Sequence, residues 1–80
     1  MDDITSAQCR AARGLVDMTQ QQLADAARVG LSTVKAFEAG RTTPMVNNLE
    51  AIRRALEAAG IEFIPTNGGG VGVRMKAPGQ

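Results

Sequence analysis

The chain is expected to fold as a mainly α domain of four helices followed by a C-terminal β-hairpin. Two capping-box starts, Thr5 with Gln8 and Thr19 with Gln22, mark the first two helices. The amphipathic series Leu49, Ile52, Leu56 and Ala59 marks a long late helix, and Val71, Val73 and Met75 alternate with Gly72, Arg74 and Lys76 as a strand does. Eighty residues bury one modest core, which leaves no room for a separate catalytic or effector-binding domain.

The first helix runs from the Thr5 cap to about Val16 and turns Cys9, Ala12 and Leu15 or Val16 inward. Met18 fills the space before the second helix, which begins at about Gln20. Its inward residues Leu23, Ala24 and Ala27 form a narrow stripe suited to close packing. Arg28, Val29 and Gly30 break the pattern. In the next run Val34 and Phe37 face inward while Ser32, Lys35 and Ala36 lie opposite, and Gly40 closes it as a left-handed cap. Two short helices joined by a tight turn form a helix-turn-helix, and the second, about ten residues long, is long enough to lie across a DNA major groove.

Arg41, Thr42 and Thr43 form a polar loop, stopped by Pro44, that could clamp a phosphate. The fourth helix spans roughly Val46 to Ala59 and ends at Gly60. Asn47 and Asn48 near its start either reach a phosphate from the helix N-terminus or simply cap it. Ile61 to Pro65 is β-prone, and Thr66 to Gly70 is a turn. The run GGGVG lacks the helix and lysine of a phosphate-binding loop. An isolated hairpin is marginal in water and needs support. The expected support is a second copy of the chain, with Ile61, Phe63, Val71, Val73 and Met75 at the dimer contact. The alternatives are the protomer's own long helix or a different protein. The sequence thus divides into a DNA-binding part (1–60), a dimerising hairpin (61–76) and a disordered tail (77–80).

Several residues together resemble the Cro and phage-repressor type (XRE) helix-turn-helix family from Thr5 to about Gly60. They are Arg13 six positions before Thr19, the TQQQLA opening, Val29 in the turn, STVKAFEAG, Pro44 and LEAIRRAL. The resemblance implies a compact lambda-repressor-like domain with Leu31, Ser32, Lys35 and Ala36 toward the groove. There Ser32 would hydrogen-bond base edges, Lys35 would favour guanine, and Leu31 and Ala36 would touch thymine methyls. Gln20 and Arg41, helped by Thr33, would hold phosphates. Arg13 and Glu38 would form an orienting pair, and Cys9 would lie beside Ala12 as a buried thiol, with redox sensing as its alternative. Two positions depart from the family: Arg28 stands where a left-handed glycine is usual, and Gly30 where a serine or threonine caps the next helix.

There is no histidine and no nucleophile with a nearby base, so an enzyme is not expected; the single cysteine excludes an intrachain disulfide or a thiolate metal cage. No cofactor is implied. No apolar run is long enough for a signal peptide or a membrane span, and a cytoplasmic protein is expected. Net charge is only +1, so the distribution of charge matters more than its sum. Lys35 and Arg41 are expected to face DNA, and Arg53 and Arg54 to belong to an ordinary solvated surface. A dimer would set two recognition helices about 34 Å apart on a pseudo-palindromic operator. The expected function is a dimeric transcriptional regulator, with repression favoured. An antitoxin whose hairpin docks a toxin is the alternative, and an activator touching RNA polymerase would use the same DNA-binding face.

Overall fold

Both expected capping boxes form. The Thr5 and Thr19 hydroxyls accept from the Gln8 and Gln22 amides at 3.0 Å, and each glutamine side chain accepts the cap residue's own N–H. They open α1 (Ser6–Val16) and α2 (Gln20–Ala27), which precede α3 (Leu31–Glu38), α4 (Val46–Ala58), β1 (Ile61–Ile64) and β2 (Gly72–Met75). This computed structural model describes residues 3–66 and 68–76; the expected disordered tail at 77–80 lies outside the described residues. No described helix is long and apolar enough to cross a membrane.

The first three helices end in one geometry. A left-handed residue follows each, and two backbone hydrogen bonds close the last turn, such as Arg41 N–H to Ala36 C=O (2.9 Å) and Gly40 N–H to Phe37 C=O (3.0 Å). Gly40 takes this conformation (φ 76°) without steric cost, whereas Asp17 (φ 54°) and Arg28 (φ 59°) carry a Cβ into it. Arg28 therefore keeps the left-handed turn of a glycine in the helix-turn-helix. Gly30 opens α3 with extended backbone and no side-chain cap, as its lack of a side-chain oxygen requires.

A single apolar cluster holds the helices together. Leu23, Ala24 and Ala27 of α2 meet Val34 and Phe37 of α3 and Leu49, Ile52 and Leu56 of α4, with Cys9 and Ala12 of α1 completing the cluster. Val16 and Met18 pack against it, whereas Leu15 is 46% exposed, which settles the choice between Leu15 and Val16. Ala59 lies just beyond α4 and is half-buried.

The hairpin is antiparallel, pairing Ile61 with Met75, Glu62 with Arg74, Phe63 with Val73 and Ile64 with Gly72. Its apolar face packs on the protomer's own core, one of the supports the sequence left open. Ile61 is fully buried in the protomer's own core, and Phe63 and Val73 pack against that core. Of the five residues expected at a dimer contact, Val71 (42% exposed) and Met75 (48%) keep free surface. Gln8 adds a polar tie, its side-chain amide donating to the carbonyls of Gly72 (3.0 Å) and Ile64 (3.4 Å). The reason is geometric: α4 delivers β1 directly from its C-terminus, so α1 and α4 offer the nearest apolar cover.

Arg28 is exposed and its strain is local. Arg28→Gly is expected to raise unfolding free energy by about 0.5–1 kcal/mol, relief of the left-handed Cβ outweighing the added freedom of the unfolded chain. Urea denaturation checks this; a loss of stability contradicts it.

Candidate nucleic-acid interface

The second helix of the motif, α3, is held from behind by its last residue. Glu38 is 3% exposed, and its carboxylate gathers donors from both preceding helices. Arg13 of α1 grips it in a fork, Nε to Oε2 at 2.7 Å and Nη2 to Oε1 at 2.5 Å. Gln20 of α2 donates to Oε1 at 2.9 Å, and the Cys9 thiol donates to Oε2 at 3.1 Å. Arg13 Nη1 also reaches the Met18 carbonyl at 3.0 Å, while Arg10 donates to the Glu38 backbone carbonyl. Among the described residues, no buried side-chain nitrogen or oxygen lacks a partner.

Burial pushes the Glu38 carboxyl upward, but the hydrogen bonds from Arg13, Gln20 and Cys9 outweigh it and hold it below the usual carboxylate range. Burial first, then the adjacent Glu38 carboxylate, pushes the Cys9 thiol well above its ordinary value. Cys9 is therefore a protonated donor in a closed core; a redox sensor needs an accessible thiolate.

Of the expected DNA-binding residues, Ser32 and Lys35 are exposed on the side of α3 opposite the buried Val34, Phe37 and Glu38. Thr33 and Ala36 are half-buried. Leu31 also packs partly on the core, which leaves only part of its side chain to meet a base. Gln20 has its side-chain amide engaged by Glu38, although its backbone N–H belongs to the first turn of α2, where amides lack intrahelical acceptors. Arg41 is exposed in the loop after α3. Asn47 is exposed in the first turn of α4, and its side chain accepts the Asn48 amide at 3.1 Å. The residue in capping position is Met45, which offers no side-chain bond, so neither asparagine is the cap.

Arg53 bridges Glu50 (3.9 Å) and Glu57 (3.3 Å) on α4, and Arg74 pairs with Glu62 across the hairpin at 2.8 Å. Arg54 leans on the Glu50 carbonyl. With Glu38 committed to Arg13, the exposed Arg28, Lys35 and Arg41 have no carboxylate partner among the described residues. Sequence reading named Lys35 and Arg41 but passed over Arg28, treating it only as a turn residue. It also missed the Gln20, Cys9 and Arg10 contacts to Glu38; the four-residue spacing of Cys9 and Arg13, which puts both on one face of α1, was the available signal.

Because Glu38 titrates lower in the fold than its ordinary 4.5, its contribution to stability is complete above that value and is lost as pH falls through the lowered one. Glu38→Gln is expected to flatten the acid limb of the stability profile, leaving the smaller slope of exposed Glu62, which Arg74 also holds low. Arg13→Ala, which strands the carboxylate, is expected to cost about 2–4 kcal/mol, less than a fully buried pair because the Arg13 side chain is 20% exposed. Denaturant titrations between neutral and acid pH test both; parallel profiles for wild type and Glu38→Gln contradict the first.

No curated protein matches the chain. A family model described as helix-turn-helix matches residues 10–62, from the second turn of α1 through α4 into β1. The chain belongs to this family, the Cro-like or XRE type of DNA-binding helix-turn-helix regulators.

Proposed function

We propose that the chain binds a pseudo-palindromic operator as a dimer, laying α3 in the major groove of each half-site, and that it acts chiefly as a repressor. The observation that carries this reading is the exposed side of α3, where Ser32 and Lys35 have no side-chain partner among the described residues while Glu38 fixes the helix from the opposite side. Ser32 and Lys35 read base edges, and the half-buried Ala36 and Leu31 add close apolar contact with thymine methyls. Arg41, Arg28 and the amides opening α2 take phosphates, with Thr33 and Asn47 beside them, and so set register. Repression is favoured because occupying a promoter requires no further surface.

The test is selection of bound sequences from a random duplex pool at near-physiological salt, followed by titration of variants. An inverted repeat with half-site centres about one helical turn apart is expected. Lys35→Ala is expected to weaken the selected site about tenfold and relax one base position, the effect of one lost base contact. Arg41→Ala is expected to weaken all sequences alike and lower the salt slope by about one. Unchanged affinity and base preference in Ser32→Ala and Lys35→Ala contradict the reading.

A further inference from the structure

A cavity of about 80 Å³ lies between the segment that precedes α1, α4 and the turn end of the hairpin. None of its lining residues belongs to α2, α3 or the loop after α3, so it is separate from the surface proposed to meet DNA. Its walls grade from core to solvent. Ile4, only 6% exposed, forms the floor, Phe63 is half-buried at the side, and Pro65, Val71 and Asp3 stand exposed at the rim. A hollow of this kind holds water poorly, because a buried water needs two to four polar partners. Counting roughly 30 Å³ for each water-sized unit, it accommodates a chain of about three carbons.

The polar groups around the cavity differ in what they leave open. Gln8 is engaged within the fold: its side-chain oxygen accepts the Thr5 N–H at 2.8 Å, and its amide serves the Gly72 and Ile64 carbonyls. Arg53 is met by Glu57 and Glu50 on its own helix. Asp3, by contrast, has no hydrogen-bond or ion-pair partner among the described residues. Asp3, Glu50 and Glu57 stand against the single cation Arg53, which leaves the surroundings of the cavity negative. An apolar hollow with an open carboxylate at its rim is complementary to a short alkyl chain that ends in a cation.

We propose that this cavity binds a short primary alkylammonium, its propyl or butyl chain against Ile4, Phe63 and Val71 and its ammonium against the Asp3 carboxylate. The site goes beyond the operator-binding reading and does not depend on it. A bound chain touches both the segment leading into α1 and the hairpin, two parts far apart in the sequence. It thereby adds an apolar tie beside the polar one that Gln8 supplies.

Nuclear magnetic resonance titration of the full, isotope-labelled chain with n-butylammonium at neutral pH tests the site. The amides of Ile4, Gln8, Phe63 and Val71 are expected to shift together and to saturate at low millimolar concentration, a modest affinity suited to about five non-hydrogen atoms. Affinity is expected to rise about fourfold per methylene from ethyl to butyl and then to level off, because the cavity is filled. Asp3→Asn changes an exposed residue, keeps the fold and is expected to weaken binding about threefold. The anion n-butyrate is expected to leave the four amides unmoved. Shifts that do not saturate, an affinity that keeps rising through hexyl and octyl chains, equal binding of n-butyrate, or unchanged affinity in Asp3→Asn overturn the proposal.

Discussion

A buried carboxylate that must find partners is the constraint around which this domain is arranged. Glu38 sits at the end of α3, almost fully withdrawn from water, and an uncompensated charge there would cost several kcal/mol. The fold meets that demand by bringing Arg13 and Cys9 from α1 and Gln20 from α2 to its two oxygens. Each of those donors fixes its helix relative to α3. Apolar contact among Leu23, Val34, Ile52 and Leu56 supplies the driving force, but it tolerates small rotations. The forked arginine does not, because a guanidinium and a carboxylate match in few geometries. The outward angle of Ser32 and Lys35 therefore follows from a contact on the far side of the same helix.

The helix ends impose a second layer of order. Closing α1, α2 and α3 with a left-handed residue and paired backbone hydrogen bonds turns the chain sharply, so helices of eight to eleven residues pack without long loops. At Arg28 this geometry is kept although the residue is not glycine, and it leaves a cation at the turn between the two helices of the motif. The strain is small beside the burial of Val29 and Leu31 on either side of Gly30, which anchors the turn to the core.

Much of this was legible in the sequence. Thr5 with Gln8, Thr19 with Gln22, and Gly40 each announce a helix boundary through local chemistry, and the spacing of Leu49, Ile52 and Leu56 announces a buried face. Such signals reside within a few residues and need no knowledge of what lies across the core. The destination of the hairpin's apolar face was different. Alternation places Ile61, Phe63 and Val73 on one side but does not say what covers them, because that depends on where α4 points the chain at Gly60. The Glu38 contacts were half legible: the Arg13 pairing came with the family resemblance. The Gln20 and Cys9 bonds required three helices in place at once. Gln20 illustrates the same limit at the interface, since a side chain expected at a phosphate is engaged within the domain.

In the proposed function a rigidly anchored α3 is the surface that meets DNA, and nuclear magnetic resonance titration with a selected duplex tests this most directly. Perturbed resonances are predicted in the first turn of α2, through the Arg28 turn into the outer side of α3, and at Arg41 to Thr43, with the Glu38 contacts intact. Perturbations confined to the hairpin and the outer face of α1, with Ser32 and Lys35 unmoved, would contradict it.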